Sequence, residues 1–215
     1  MKYKAVLFDL DGTLLNTLDD LYFSTNYALR EHNMKERTFE EVRCFVGNGV
    51  RVLIEKAVEQ DRLNEVDDVL ATFKQHYQEH SLDHISIYPG INELLQELRN
   101  QNILIAVVTN KFDNAAQNII SKYFPTQVNI TVGERSELNK KPHPDMCNYV
   151  LSQLDVTKEE AIYIGDSEVD ILTAKNAGLK CISCAWGFRT KDELLAANAN
   201  IIIKEPKEII NILKK

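Results

Sequence analysis

The 215-residue chain is poor in cysteine: there are four, Cys44, Cys147, Cys181 and Cys184, and only the last two lie close together. That is too few for a disulfide scaffold in a chain of this size and fits a reducing compartment. Basic residues are in deficit too. Against 32 Asp and Glu there are 25 Lys and Arg, a formal charge of −7. A nucleic-acid binder usually presents a basic face, so nucleic acid is not an expected partner. Any anion bound here must be held by local geometry, because the overall field repels it. Long apolar runs are missing as well, so no membrane span is expected. The apolar run that follows the basic start MKYK is interrupted by Asp9 and Asp11 and is too short for the core of a signal peptide. The cytoplasm is the expected location. What remains, at 44% hydrophobic and 27% charged, is the composition of an ordinary globular protein without repeats or low-complexity segments.

Short apolar runs do occur, at residues 5–8, 103–108, 129–132, 161–164, 181–185 and 200–204. They lack polar alternation, the pattern of strands buried on both faces of a parallel sheet. Helical patterns separate them. Thr157–Glu160 and Thr190–Glu193 have the form of capping boxes, and Gly178 suits a helix stop. This alternation predicts an α/β fold, a doubly wound, mainly parallel Rossmann-like sheet. From Leu14 to Tyr88 no strand-like run appears, a gap too long for a simple connection. Thr17–Asp20 and Thr38–Glu41 look like helix starts there, and apolar residues recur at helical spacing through Leu53, Ile54, Ala57 and Val58 and through Val66, Val69, Leu70 and Phe73. The sequence therefore predicts an α/β core of residues 1–14 and 83–215, with an α-helical cap domain of residues 15–82 inserted after the first strand.

In open α/β sheets ligands bind beyond the carboxyl ends of the strands. The first predicted strand runs into Asp9-Leu10-Asp11-Gly12-Thr13, where residues two apart point the same way in extended chain. Two acids so placed repel each other unless a cation sits between them. The second strand ends in Thr109-Asn110-Lys111, Lys140-Lys141-Pro142-His143-Pro144 follows the third, and the fourth ends in Gly165-Asp166-Ser167-Glu168-Val169-Asp170. Four consecutive strands thus bring acids, a hydroxyl and lysines to one sheet edge.

The segments FDLDGTLLNT, VVTN, KPHP and IGDSEVD resemble, in this order and spacing, the four motifs of the haloacid dehalogenase-like superfamily. The helical insertion after the first motif is similar to that superfamily's class 1 cap, and FVGNGVRVLIE at 45–55 is similar to its phosphoglycolate phosphatase-like branch. The resemblance implies a Mg²⁺-dependent phosphatase acting on a small phosphorylated metabolite, with 2-phosphoglycolate the first expectation. Asp9 would be the nucleophile, forming an aspartyl-phosphate, and Asp11 the general acid and base. Mg²⁺ would be held by Asp9, Asp11 through its backbone carbonyl, and Asp166, with Asp170 joining the shell or orienting its waters. Thr109 and the backbone N–H of Asn110 would bind phosphoryl oxygens, and Lys141 would neutralise their charge. A cation and Lys141 together would make the site locally positive despite the net charge.

Residue choice separates branches of the superfamily. Members cleaving carbon–halogen bonds lack an acid where Asp11 stands, and those cleaving carbon–phosphorus bonds typically have alanine there. Sugar phosphomutases, such as β-phosphoglucomutase, often carry valine in place of Thr13. A phosphatase is therefore favoured. The mutase, and a pyrophosphatase or nucleotidase on the same fold, are the alternatives; a non-catalytic binding protein usually loses one of the acids, and Asp9, Asp11, Asp166 and Asp170 are all present. In the cap, Gly47, Asn48, Gly49 and Arg51 are candidate specificity residues: the glycines allow close backbone approach to a small substrate, and Arg51 could meet a carboxylate. His76, His80 and His84 form a four-residue stripe that is not expected to be a metal site. Cys181 and Cys184 are expected to be core residues in a strand, and Trp186-Gly187-Phe188-Arg189, which follows the fifth strand, is read as packing in preference to bordering the site. Monomer and homodimer are both compatible with the resemblance.

Overall fold

The computed structural model describes residues 2–214. Strands are β1 Ala5–Phe8, β2 Leu15–Asn16, β3 Ser86–Ile87, β4 Leu104–Phe112, β5 Ile130–Glu134, β6 Ala161–Gly165, β7 Lys180–Cys184 and β8 Ile202–Ile203. Six of them form one sheet in the order β5-β4-β1-β6-β7-β8, with each neighbouring pair parallel. All four residues of β1 and all five of β6 are buried, which is why their sequences are uninterrupted apolar runs. Ala5, Leu7, Ala106, Val108 and Tyr163 share one core cluster with Met146 and Val150 of helix Asp145–Leu154 and with Ala174 of helix Glu168–Ala177.

The strand order fixes where a ligand can bind. From β1 the chain builds outward through β4 to β5, then crosses back and builds the other way through β6, β7 and β8. The reversal falls between β1 and β6, which pair from Ala5↔Ala161 to Phe8↔Ile164. Their carboxyl ends therefore border the crevice at a topological switch point. The first residue beyond β1 is Asp9, whose N–H donates to the Ile164 carbonyl at 2.8 Å.

The chain divides into two compact units, Met1–Leu15 with Ile87–Lys215, and Asn16–Ser86. The second contains helices Leu18–Glu31, Phe39–Phe45, Val50–Ala57 and Val66–His80, with a 3₁₀ segment Gln60–Glu65 between the last two. Leu53, Ile54, Ala57, Val69, Leu70 and Phe73, the residues with helical spacing, are buried within it. Ser24 pairs with His76 at 3.0 Å and His32 with Thr72 at 2.9 Å, tying the first helix of this unit to its last.

Local signals mostly act as their chemistry dictates. Thr38 with Glu41 and Thr190 with Glu193 are full capping boxes, and Gly178 ends its helix with φ +71°. Two differ. The Thr157–Glu160 box opens only a 3₁₀ turn, because the chain enters β6 at Ala161. Thr17 precedes helix Leu18–Glu31 without a side-chain cap bond.

Candidate active site

The carboxylates of Asp9, Asp166 and Asp170 converge at the switch point, with ligand oxygens within 4.8 Å of one another. Lys141 lies among them, its Nζ 2.9 Å from Asp9 Oδ1 and 2.8 Å from Asp170 Oδ1. Its side chain is 2% exposed. Asn110 places it: its Nδ2 donates to the Lys141 carbonyl at 3.0 Å, and the Lys141 N–H donates back to its Oδ1 at 2.8 Å.

Asp170 is the most fully engaged of the acids. Its Oδ1 accepts from Lys141 Nζ and from the Tyr163 hydroxyl at 3.1 Å, and its Oδ2 accepts from the N–H groups of Asp166 and Ser167 and from the Ser167 hydroxyl at 2.6 Å. Burial alone would raise this carboxyl, but Lys141, Ser167 and Tyr163 outweigh it and hold Asp170 below the usual carboxylate range. Lys141 is the mirror case: burial disfavours its ammonium, yet Asp170 and Asp9 keep it above its ordinary value. The remaining two acids are left short of positive charge. Burial, then repulsion from Asp170, pushes Asp9 up to about 7 against the pull of Lys141. Burial, then Asp170 and Asp9, drives Asp166 well above its ordinary range.

Asp166 is positioned by Thr13 of the first motif and by segment 186–189, for which the sequence favours packing over a place at the site. The Phe188 N–H donates to its Oδ2 at 2.6 Å, while the Thr13 hydroxyl donates to its Oδ1 at 3.3 Å. Trp186 Nε1 donates to the Thr13 carbonyl at 3.0 Å, and Arg189 pairs with Glu168 at 2.8 Å. Segment 186–189 thus builds the site wall as well as packing. Tyr163 is likewise without a signal, lying in an apolar run, and Ser167 stands in the sequence only as part of the fourth strand end, with no role of its own.

Glycine is required where the backbone passes these carboxylates. A Cβ on Gly165 would sit 2.2 Å from Asp170 Cγ, and one on Gly12, at φ +84°, would sit 2.3 Å from Asp166 Oδ2. Gly165→Ala is therefore expected to lower stability by about 1–3 kcal/mol, a fall in melting temperature of roughly 2–12 °C. A melting point equal to that of the unaltered protein would contradict this packing.

The other sequence candidates are placed as follows. The Asp11 carboxylate pairs with Lys111, whose Nζ is 3.0 and 3.3 Å from its two oxygens. Thr109 is buried, its Oγ1 accepting from the Lys111 N–H at 3.2 Å. Gly47, Asn48, Gly49 and Arg51 belong to the helical unit, where Gly47 and Gly49 have φ +125° and +86°. Arg51 pairs with Asp67 at 2.8 Å and Glu55 at 3.1 Å. His76, His80 and His84 make separate bonds through Nδ1, to Ser24, Asp83 and Asp20 respectively. The rings of His76 and His80 stack with centroids 4.3 Å apart. Cys181 and Cys184, three apart on β7, project to opposite faces, and both are free thiols.

An all-oxygen donor set of this kind suits a hard divalent cation. Three buried carboxylates face one buried lysine here, an excess of negative charge that such an ion would offset.

This topology places acids at the ends of β1 and β6 with a lysine between them. The chain belongs to the haloacid dehalogenase-like hydrolase family, which it matches over residues 6–184. Within that family it resembles phosphoglycolate phosphatases. That of Vibrio parahaemolyticus is 31% identical over 98% of this chain and 96% of its own, and that of Mannheimia succiniciproducens is 29% identical over 99% of both. Among solved structures, a provisionally assigned phosphoglycolate phosphatase of Lactobacillus delbrueckii subsp. bulgaricus superposes with a TM-score of 0.94, at 32% identity and 99% coverage of both chains. No helix among the described residues is long and apolar enough to cross a membrane.

Proposed function

We propose that the protein is a Mg²⁺-dependent phosphatase that hydrolyses a small phosphomonoester, 2-phosphoglycolate first, through an aspartyl-phosphate on Asp9. The observation that carries this reading is the group Asp9, Asp166, Asp170 and Lys141 at the switch point, with Asp11 beside it. The names of the relatives support the substrate.

Asp9 Oδ1 is already held by the Leu10 N–H at 2.7 Å and by Lys141, which leaves Oδ2 to attack phosphorus. The P–O bond to the leaving group breaks as the Asp9 O–P bond forms, and Asp11 gives its proton to the departing alkoxide. Asp11 then takes a proton from water, which attacks phosphorus, breaks the Asp9 O–P bond and releases phosphate. Thr109 and the Asn110 N–H hold the phosphoryl oxygens, and Lys141 offsets their charge. Asp9, the backbone carbonyl of Asp11 and Asp166 would hold the metal, with Asp170 joining the shell or orienting its waters while it holds Lys141 and the start of helix Glu168–Ala177. When bound, Mg²⁺ draws charge from the phosphoryl oxygens and lowers their repulsion of an anionic nucleophile.

A phosphate-release screen over small esters, pyrophosphate, nucleoside monophosphates and sugar phosphates tests this. Release is expected to be fastest from 2-phosphoglycolate, to fall to background with chelator, and to return with added Mg²⁺. No release from any ester would overturn the phosphatase reading; interconversion of hexose 1- and 6-phosphates without release would favour a mutase.

A further inference from the structure

Lys111 has no part in the scheme above, yet its ammonium lies within the site. Its side chain is 4% exposed, and Nζ touches both oxygens of Asp11. An ammonium is costly to bury and is rarely enclosed without a paired carboxylate, which Asp11 supplies here. The local backbone is built for this placement. Pairing between β4 and β5 shifts register between Val108 and Phe112, and the Lys111 N–H turns back to Thr109 Oγ1. Irregularities of this kind re-aim side chains beside active sites.

The site therefore holds two buried lysines with different neighbours. Lys141 touches Asp9, on the side where phosphorus is attacked. Lys111 touches Asp11, the group that meets the leaving oxygen. A substrate oxygen hydrogen-bonded to Asp11 would lie about 4–6 Å from Lys111 Nζ, two hydrogen-bond lengths across the shared carboxylate. In 2-phosphoglycolate a single methylene separates the ester oxygen from the carboxylate, which brings that anion within reach of Nζ. We propose that Lys111 is a specificity residue: it pairs with a carboxylate one carbon from the ester oxygen and selects 2-phosphoglycolate-type substrates over uncharged esters of the same size. This rests on the phosphatase reading of the site.

The test compares 2-phosphoglycolate with ethyl phosphate, which replaces the carboxylate by methyl. The unaltered enzyme should prefer the first by kcat/KM, and Lys111→Met should reduce that ratio about 30–100-fold, the usual scale for losing one partner of a desolvated charge pair. Lys111→Arg should keep most of the preference. Lys111→Gln replaces the Met variant if circular dichroism shows that the latter is unfolded. If both esters lose activity equally in the Met or Gln variant, Lys111 only positions Asp11 and the proposal is overturned. The same holds if Arg behaves like Met. An unaltered enzyme that hydrolyses both esters without preference would end the substrate assignment but leave the phosphatase; one that hydrolyses neither would end both readings.

Discussion

Asp9→Asn is expected to reduce phosphatase turnover by about 10⁴-fold or more while the protein stays folded. The amide keeps the size of the side chain and can still accept from the Leu10 N–H, but its oxygen is a poor nucleophile and cannot form the acyl-phosphate. Stability should not suffer. Asp9 is an acid whose ionised form is disfavoured by burial and by Asp170, so a neutral replacement relieves part of that penalty. Lys141 meanwhile keeps Asp170 at 2.8 Å. The metal-free melting temperature should therefore be unchanged or higher, a combination that separates loss of chemistry from loss of structure. Substantial residual turnover in a folded variant would show that Asp9 is not the nucleophile.

Lys141→Met should have the opposite character, with both activity and stability lost. It removes the cation from Asp9 and from the fully buried Asp170, leaving the latter without its counter-charge. Breaking a buried pair from one side typically costs about 3–5 kcal/mol, because the remaining charge stays desolvated. In a protein of this size that is a fall in melting temperature of roughly 6–20 °C. The companion variant tests the cause. In Lys141→Met with Asp170→Asn the orphaned charge is gone, so the double variant should be more stable than Lys141→Met alone, although still inactive. Strictly additive losses in this double-mutant cycle would mean that the two residues do not act as a pair.

How much of this could be read before the structure depended on the kind of signal each residue carries. Buried parallel strands such as Ala5–Phe8 and Ala161–Gly165 are visible because both faces are covered, so every side chain is apolar. β2 and β3 are two residues each, shorter than any repeat that could announce them. The acids of the site stood out through their place at strand ends. Their supports did not. Tyr163 reads as one more apolar strand residue, but its hydroxyl holds Asp170; Phe188 acts on Asp166 through its backbone N–H, which no side-chain identity reveals. Asn110 was expected to act through its N–H, and its side chain turns out to clasp the Lys141 backbone across a sequence separation of 31. Partnerships over such distances are set by the strand order, and only the folded sheet shows them.

The most direct test of the central claim, covalent catalysis by Asp9, is the stereochemical course at phosphorus. A thiophosphate analogue of 2-phosphoglycolate made chiral with oxygen-18 would be hydrolysed in oxygen-17 water, and the configuration of the released thiophosphate determined. Two successive in-line displacements, first by Asp9 and then by water, each invert the centre, so the account predicts net retention. Net inversion would mean that water attacks the substrate directly, and would contradict the aspartyl-phosphate.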